Sequence, residues 1–199
     1  MIISFIGIRG AGKSTQCALL QSYLNSIGRP AQVVKALDDE IKSRFLDIIS
    51  ANSYMANVFL FCMLYRRQVD QTQMLQQQGY LVITDRFIEY FRLYHTYEGL
   101  LTTHSTDLYE QFERLVFGSV RPDLIVYLRV DLKTANQRIE NRRRSSPRQD
   151  FMFETDDTYL KATTLYDQLA ATGTCKVVDG SMNPMEVHRN IVAQLRLCS

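Results

Sequence analysis

Residues 2–6 (IISFI) form a short run that is almost wholly apolar and is closed by Gly7, which predicts a strand buried on both faces. From Lys13 to Ile27 the apolar positions recur at helical spacing (Cys17, Leu19, Leu20, Leu24), and Gly28 with Pro30 beyond it stops the helix. A second strand is expected over Gln32–Leu37. Helices are expected over Ile41–Ile49 and over Tyr54–Gln78, the latter ending at Gly79. The run from Tyr80 to Asp85 predicts a third strand that ends on the polar pair Asp85-Arg86. A mostly helical stretch continues to about Gly118. Pro122-Asp123 then opens a fourth strand, Leu124–Arg129, and Lys176–Val178 is a fifth. Helices are expected over Leu132–Arg143, Thr155–Ala171 and Pro184–Leu197, the last capped by Asn183 with proline at its first position.

Strands alternating with helices imply an α/β fold, a parallel sheet with helices on both faces. The 199 residues fit one domain, with no internal repeat and no linker rich in Pro, Gly or Ser. One segment breaks the pattern. Asn141–Asp150 is polar and basic and reads as a mobile surface flap, a lid at about residues 141–155.

Composition narrows the class. No apolar run approaches the roughly 18 to 20 residues needed to span a bilayer, so no membrane association is expected. The N-terminus has neither a basic leader nor a small-residue cleavage site, which gives no reason to expect a signal peptide. Cys17, Cys62, Cys175 and Cys198 lack ligand-type spacing and suit reduced thiols in the cytoplasm. A net charge of +2 argues against a nucleic-acid partner held by broad electrostatics. Of the 23 Lys and Arg residues, 17 are arginine, the side chain best suited to forked contacts with phosphate.

The chemistry begins at residues 7–15, GIRGAGKST, which follow a predicted strand and open a predicted helix. That is the context of a P-loop. Its backbone, from Gly7 through Arg9, Gly10, Ala11 and Gly12 to Thr15, would turn its amides onto the phosphates of ATP, helped by the positive end of the helix. Lys13 would reach the β- and γ-phosphates and Ser14 would ligate Mg2+. DxxG and NKxD segments, expected of a regulatory GTPase, do not occur. A phosphotransferase with a small-molecule acceptor is therefore favoured.

Further segments extend the motif: Asp85-Arg86-Phe87, then Arg121–Leu128 leading into Ala135–Ile139, the arginine flap followed by Glu154 and Tyr159–Leu169, and finally Val177–Ser181 with Val187-His188. In order and spacing, with GIRGAGKSTQ, they resemble the thymidylate kinase family over nearly the whole chain. The resemblance implies a five-stranded parallel sheet flanked by helices, a homodimer, and transfer of the γ-phosphoryl of ATP to dTMP. It implies that Arg86 grips the acceptor phosphate, that Asp85 lies close to Mg2+, and that Arg66 or Arg67 is a second phosphate-binding arginine. It matches Tyr94 to the tyrosine of the family's AYQ segment and sets Phe61 and Tyr166 with it on the acceptor side. Arg142, Arg143, Arg144 and Arg148 resemble the basic lid. Arg138, Asp179 and Ser181 fall where the family holds adenine.

The chain departs from the family pattern in three places. Lys35–Ile41 lacks the usual Arg-Glu-Pro or Phe-Pro segment. Tyr90 and Phe91 replace two serines, and His95 replaces the glutamine of AYQ. Arg9 stands where a carboxylate normally approaches the sugar 3′-hydroxyl, and an arginine favours an anion instead. Altered nucleotide specificity is therefore one alternative. Another is a kinase for a hydroxyl acceptor such as a deoxynucleoside, with Asp38, Asp39 or Glu40 as the carboxylate base. A non-catalytic nucleotide binder and a polynucleotide kinase are the remaining alternatives.

Overall fold

The apolar run at the N-terminus forms β1 (Ile2–Ile6), with every residue buried, at the centre of a parallel five-stranded sheet. The computed structural model describes residues 1–37, 47–48, 51–97, 106–145 and 155–195, leaving aside the side chains of residues 54, 94–97 and 106. In chain order the other elements are α1 (Lys13–Ser26), β2 (Ala31–Val34), α2 (Tyr54–Gln77), β3 (Leu81–Asp85), α3 (Ile88–Tyr97) and α4 (Thr106–Phe117). They continue with β4 (Leu124–Arg129), α5 (Leu132–Ser145), α6 (Asp156–Ala171), β5 (Cys175–Asp179) and α7 (Pro184–Leu195). The strand order is β2-β3-β1-β4-β5.

The register puts the functional ends together. β1 pairs with β3 from Ile2↔Val82 to Phe5↔Asp85, and with β4 from Ile3↔Leu124 to Ile6↔Tyr127. β4 pairs with β5 as far as Arg129↔Asp179. Because all strands are parallel, Gly7, Asp85, Arg129 and Asp179 emerge at one edge, where ligands bind in open α/β sheets. Asp123 fixes the opposite edge. Its carboxylate accepts from the Ile2 amide at 2.6 Å, and its own amide donates to the Ile2 carbonyl at 2.9 Å.

α1 packs on β2, β3 and α7, and α7 on β5, covering one face. α2 packs on β2, β3 and α4, while α3 packs on α4 and α6, covering the other. Beneath α2 lies an aromatic cluster with Phe117 at its centre, 5.2 Å from Phe87 and 5.3 Å from Phe91 between ring centroids.

The expected boundaries hold to within a few residues, and the caps explain two of them. Asn183 Oδ1 accepts from the amides of Met185 (3.1 Å) and Glu186 (3.0 Å) to start α7. Thr155 and Thr158 form a reciprocal box that starts α6. One expectation is corrected: the flap does not begin at Asn141, because α5 runs to Ser145. Ile139 anchors that last stretch in the core, Arg144 pairs with Glu140 one turn back at 3.1 Å, and arginines suit the negative end of a helix. The helix expected over Ile41–Ile49 falls largely outside the described residues, as do residues 146–154 of the lid.

Candidate active site

β1 hands the chain to α1 through a loop that only glycine can build at two points. Gly10 has φ 79°, and a Cβ there would lie 2.4 Å from the Ala135 carbonyl oxygen; at Gly7 it would lie 2.6 Å from that of Leu128. The loop is thus pressed against β4 and α5. α1 then starts with no side-chain cap and no acidic residue in its first turn. Its leading amides remain available to an anion, and the helix dipole adds positive charge. Lys13 is 6% exposed and folds back over the loop, donating to the carbonyls of Gly7 (2.9 Å) and Ile8 (2.7 Å). Arg9 is half-buried beside it, and Ser14 and Thr15 are exposed on the first turn.

Opposite the loop stands the end of β3. The Ser14 hydroxyl donates to the Asp85 carboxylate, joining the two candidate metal ligands. Two oxygen donors of this kind, completed by phosphate oxygens and water, fit Mg2+. Among the described residues no group of three or more His, Cys, Asp or Glu side chains forms a metal cage, and Mg2+ in phosphoryl-transfer sites rarely uses one.

Arg86 is the one non-glycine residue among those described with a left-handed backbone, φ 72°. That conformation costs about 1–2 kcal/mol, so its surroundings must impose it. Its amide donates to the Phe5 carbonyl at 3.1 Å, and its carbonyl accepts from Gln68 Nε2 at 3.1 Å. The guanidinium lies over the Tyr90 ring, 4.2 Å from the centroid, and its Nε is buried without a hydrogen-bond partner. Burial works against the charge, but Tyr90, Asp85 and Tyr166 outweigh it and raise the pKa further. Arg86 is therefore a fixed cation with a donor to spare.

Tyr65 and Tyr166 complete its surroundings. Both are almost fully buried, and burial pushes both phenols up while Arg86 pulls them back. α2 presents Phe61, Tyr65 and Gln68 on one buried face, at i, i+4 and i+7. Arg66, expected at the phosphate, instead bonds Asp70 on its own helix and donates to the Val116 carbonyl at 3.1 Å. Arg67 is exposed. On the buried face of α2 it is Tyr65 and Gln68 that adjoin Arg86. A polar glutamine within an apolar stripe was the available signal. Of the two residues that replace the family's serines, Tyr90 faces the site, while Phe91 is buried in the aromatic cluster.

At the other end of the loop, Arg138 gathers the turn after β5. It donates to the carbonyls of Gly180 (2.8 Å), Ser181 (3.0 Å) and Met182 (3.3 Å), and reaches Gly10 O at 3.5 Å. Asp179 shapes the same turn by accepting from the Ser181 amide at 2.8 Å, and that contact holds its carboxyl below the usual range. A cavity of about 340 Å³ opens beside the turn, with Asp131, Tyr159, Asp179 and Ser181 in its wall. Arg142, Arg143 and Arg144 are exposed on the last turn of α5. Desolvation and nearby Arg138 lower the pKa of Arg142, while Asp85 opposes them. Arg148, Glu154, Asp38, Asp39 and Glu40 lie outside the described residues, as does the side chain of Tyr94.

A family model described as thymidylate kinase matches residues 5–191. The chain is 30% identical to the Thymidylate kinase of Pelobacter propionicus, covering 97% of this chain and 92% of that protein. The Thymidylate kinase of Trichlorobacter lovleyi is likewise 30% identical, over 94% and 92%. That of Rickettsia typhi is 27% identical, over 97% and 96%. The match begins within β1 and ends within α7, so it takes in every strand and loop at the ligand edge: the chain belongs to the thymidylate kinase family.

Proposed function

We propose that the ends of β1 and β3 divide one reaction between them, the ATP-dependent phosphorylation of dTMP to dTDP. As a thymidylate kinase family member the chain is a nucleoside monophosphate kinase with ATP as donor. The observation that carries the division of roles is the Asp85-Arg86 pair. One residue faces Ser14 and the phosphate loop, while its neighbour offers a buried, unsatisfied guanidinium donor.

On binding ATP, the amides of the loop and of the first turn of α1 take up the phosphates. Lys13 exchanges the Gly7 and Ile8 carbonyls for phosphate oxygens. Ser14 Oγ and the Asp85 carboxylate would hold Mg2+, which would supply neutralisation of phosphate charge. Arg86 turns its free donor to the acceptor phosphate, with Tyr65, Tyr90, Tyr166 and Phe61 around it. The bond from the γ-phosphorus to the β–γ bridging oxygen breaks as a bond to the acceptor phosphate oxygen forms, and ADP leaves. No base is required, since a phosphate monoester with a second pKa near about 6 is already largely ionised. Arg142, Arg143 and Arg144 on the last turn of α5, with Arg148 beyond it, serve as the cations that stabilise the transferring phosphoryl group. Arg138, Asp179 and Ser181 form the adenine side.

The finer points of setting follow from surfaces and substrate. Phe59 and Met63 on α2 and Leu115 on α4 are 57%, 58% and 71% exposed, an apolar patch suited to a second copy of the chain. Light scattering reads the homodimer directly. Nucleotide substrates and the buried free thiols Cys17, Cys62 and Cys175 suit the cytoplasm. No described helix is long and apolar enough to cross a membrane. The deciding test is ADP release from ATP in the presence of dTMP, dUMP, dCMP and free thymidine, one at a time. Strongest stimulation by dTMP supports the reading. Preference for free thymidine would return the hydroxyl-acceptor alternative, and preference for another monophosphate would point to altered specificity.

A further inference from the structure

Gln68 is 1% exposed and sits on α2 between Tyr65 and Val69, a setting in which an apolar side chain costs less. Both hydrogens of its amide are used. One goes to the Val34 carbonyl at the end of β2 (3.3 Å), the other to the Arg86 carbonyl just past β3 (3.1 Å). Its Oε1 is buried with no partner. The position therefore keeps two donors at the expense of one stranded acceptor. Neither glutamate nor methionine, though similar in size, supplies two donors.

The two carbonyls lie where the β2–β3 ladder runs out, its last paired residues being Val34↔Thr84. Gln68 continues the ladder with a side chain. In doing so it holds the carbonyl of Arg86, the residue in the left-handed conformation, while Phe5 holds its amide. With both peptide groups fixed, the chain reverses between Asp85 and Arg86, so that the Asp85 carboxylate meets Ser14 while the guanidinium lies across Tyr90. Release of the Arg86 carbonyl would let residue 86 relax toward the right-handed region and swing its side chain off that line.

We infer that Gln68 is a positioning residue for the acceptor half of the site, setting the aim of Arg86; this rests on the reading of Arg86 as the acceptor-phosphate grip. Gln68 bonds no atom of the phosphate loop, and Ser14 and Phe5 still hold Asp85 and the Arg86 amide when its bonds are lost, so its effect falls first on the Arg86 side chain.

The test uses the full chain with Gln68→Met and Gln68→Glu, alone and combined with Arg86→Ala. Steady-state rates are measured with dTMP and ATP varied separately, and dTMP affinity by titration calorimetry. Loss of one buried hydrogen bond predicts a dTMP KM raised about tenfold. The ATP KM stays within about twofold, because the loop contacts are untouched. In the Arg86→Ala background, Gln68→Met weakens dTMP binding no further. An unchanged dTMP KM, an equal rise in both KM values, or an effect that adds in full to that of Arg86→Ala overturns the inference. If Gln68→Met does not fold, Gln68→Glu carries the same readout. If Arg86→Ala leaves dTMP binding intact, the reading of Arg86 itself fails, whatever Gln68 does.

Discussion

Ser14, on the first turn of α1, donates its hydroxyl hydrogen to the Asp85 carboxylate at the end of β3, across 71 residues of sequence. The contact exists because β1 and β3 are neighbours in register up to Phe5↔Asp85, so the loop after one strand meets the end of the other. Replacing Asp85 with Asn removes charge from this pair with almost no change in shape. The expected result is a kcat lower by about 10²–10³, with the circular dichroism spectrum and melting temperature near those of wild type. An Asp85→Asn enzyme of normal kcat would show that the pair has no part in transfer.

Gly10 tests the loop without touching a charge. Alanine there places a methyl carbon 2.4 Å from the Ala135 carbonyl oxygen and must also adopt φ 79°. Backbone strain alone predicts a loss of about 1–2 kcal/mol, and the clash adds to it. Thermal melting of Gly10→Ala is expected to show that loss, and nucleotide titration a weaker affinity for ATP. A variant with wild-type melting and ATP affinity contradicts the close approach of loop and α5.

Glu89 gives a pH signature. It is 3% exposed and accepts from Ser4 Oγ at 3.0 Å. Burial pushes its carboxyl above the ordinary 4.5, and the bonds from its own amide and from Ser4 do not overcome that. The folded chain therefore binds this proton more tightly than the unfolded chain. Its effect on stability is unfavourable to the ionised form and grows as pH rises from 4.5 through the folded pKa. The melting temperature of Glu89→Gln, relative to wild type, is expected to climb with pH over that window. A difference independent of pH would mean that burial does not govern this group.

Glu113 works in the opposite sense. Its carboxylate takes Arg92 at 2.8 Å, Arg121 at 3.1 Å and the Tyr109 hydroxyl at 2.6 Å, joining α3, α4 and the approach to β4. Burial opposes its charge, but the bonds from Arg92 and Tyr109 prevail and hold the carboxyl below 4.5. Its contribution is present above the unfolded pKa and is lost as pH falls through the folded one. Both arginines are more than two-fifths exposed, at 46% and 43%, so solvent screening discounts the pairs. Glu113→Gln is expected to cost about 2 kcal/mol at neutral pH in urea melts. The variant should also lose less stability than wild type on acidification.

The donor side was legible in the sequence because it is local. Gly7, Gly10, Lys13 and Ser14 lie within one strand–loop–helix unit, and the conformation each needs is written into its residue type. Strands and caps were legible for the same reason, from β1 to Asn183 before α7. Around Arg86, the sequence named Phe61 and Tyr166 but not Tyr65 or Gln68, since those depend on which face a long helix turns toward the sheet. On α2 a shift of one residue rotates a side chain by about 100°. That rotation carries Arg66 to Asp70 and Val116 and brings Tyr65 and Gln68 to Arg86. The helix expected to Arg143 and the flap expected from Asn141 overlapped because charge blurred the boundary, which Ile139 and the Glu140–Arg144 pair carry on to Ser145.

The central claim is that phosphoryl passes from ATP on the loop to a monophosphate held at Arg86, and following labelled phosphate tests it most directly. With γ-labelled ATP and dTMP, the enzyme is predicted to place the label at the β-position of dTDP, and Arg86→Ala to suppress that transfer while leaving ATP binding intact. Label found only in inorganic phosphate, or on the hydroxyl of a free nucleoside in preference to dTMP, would contradict it.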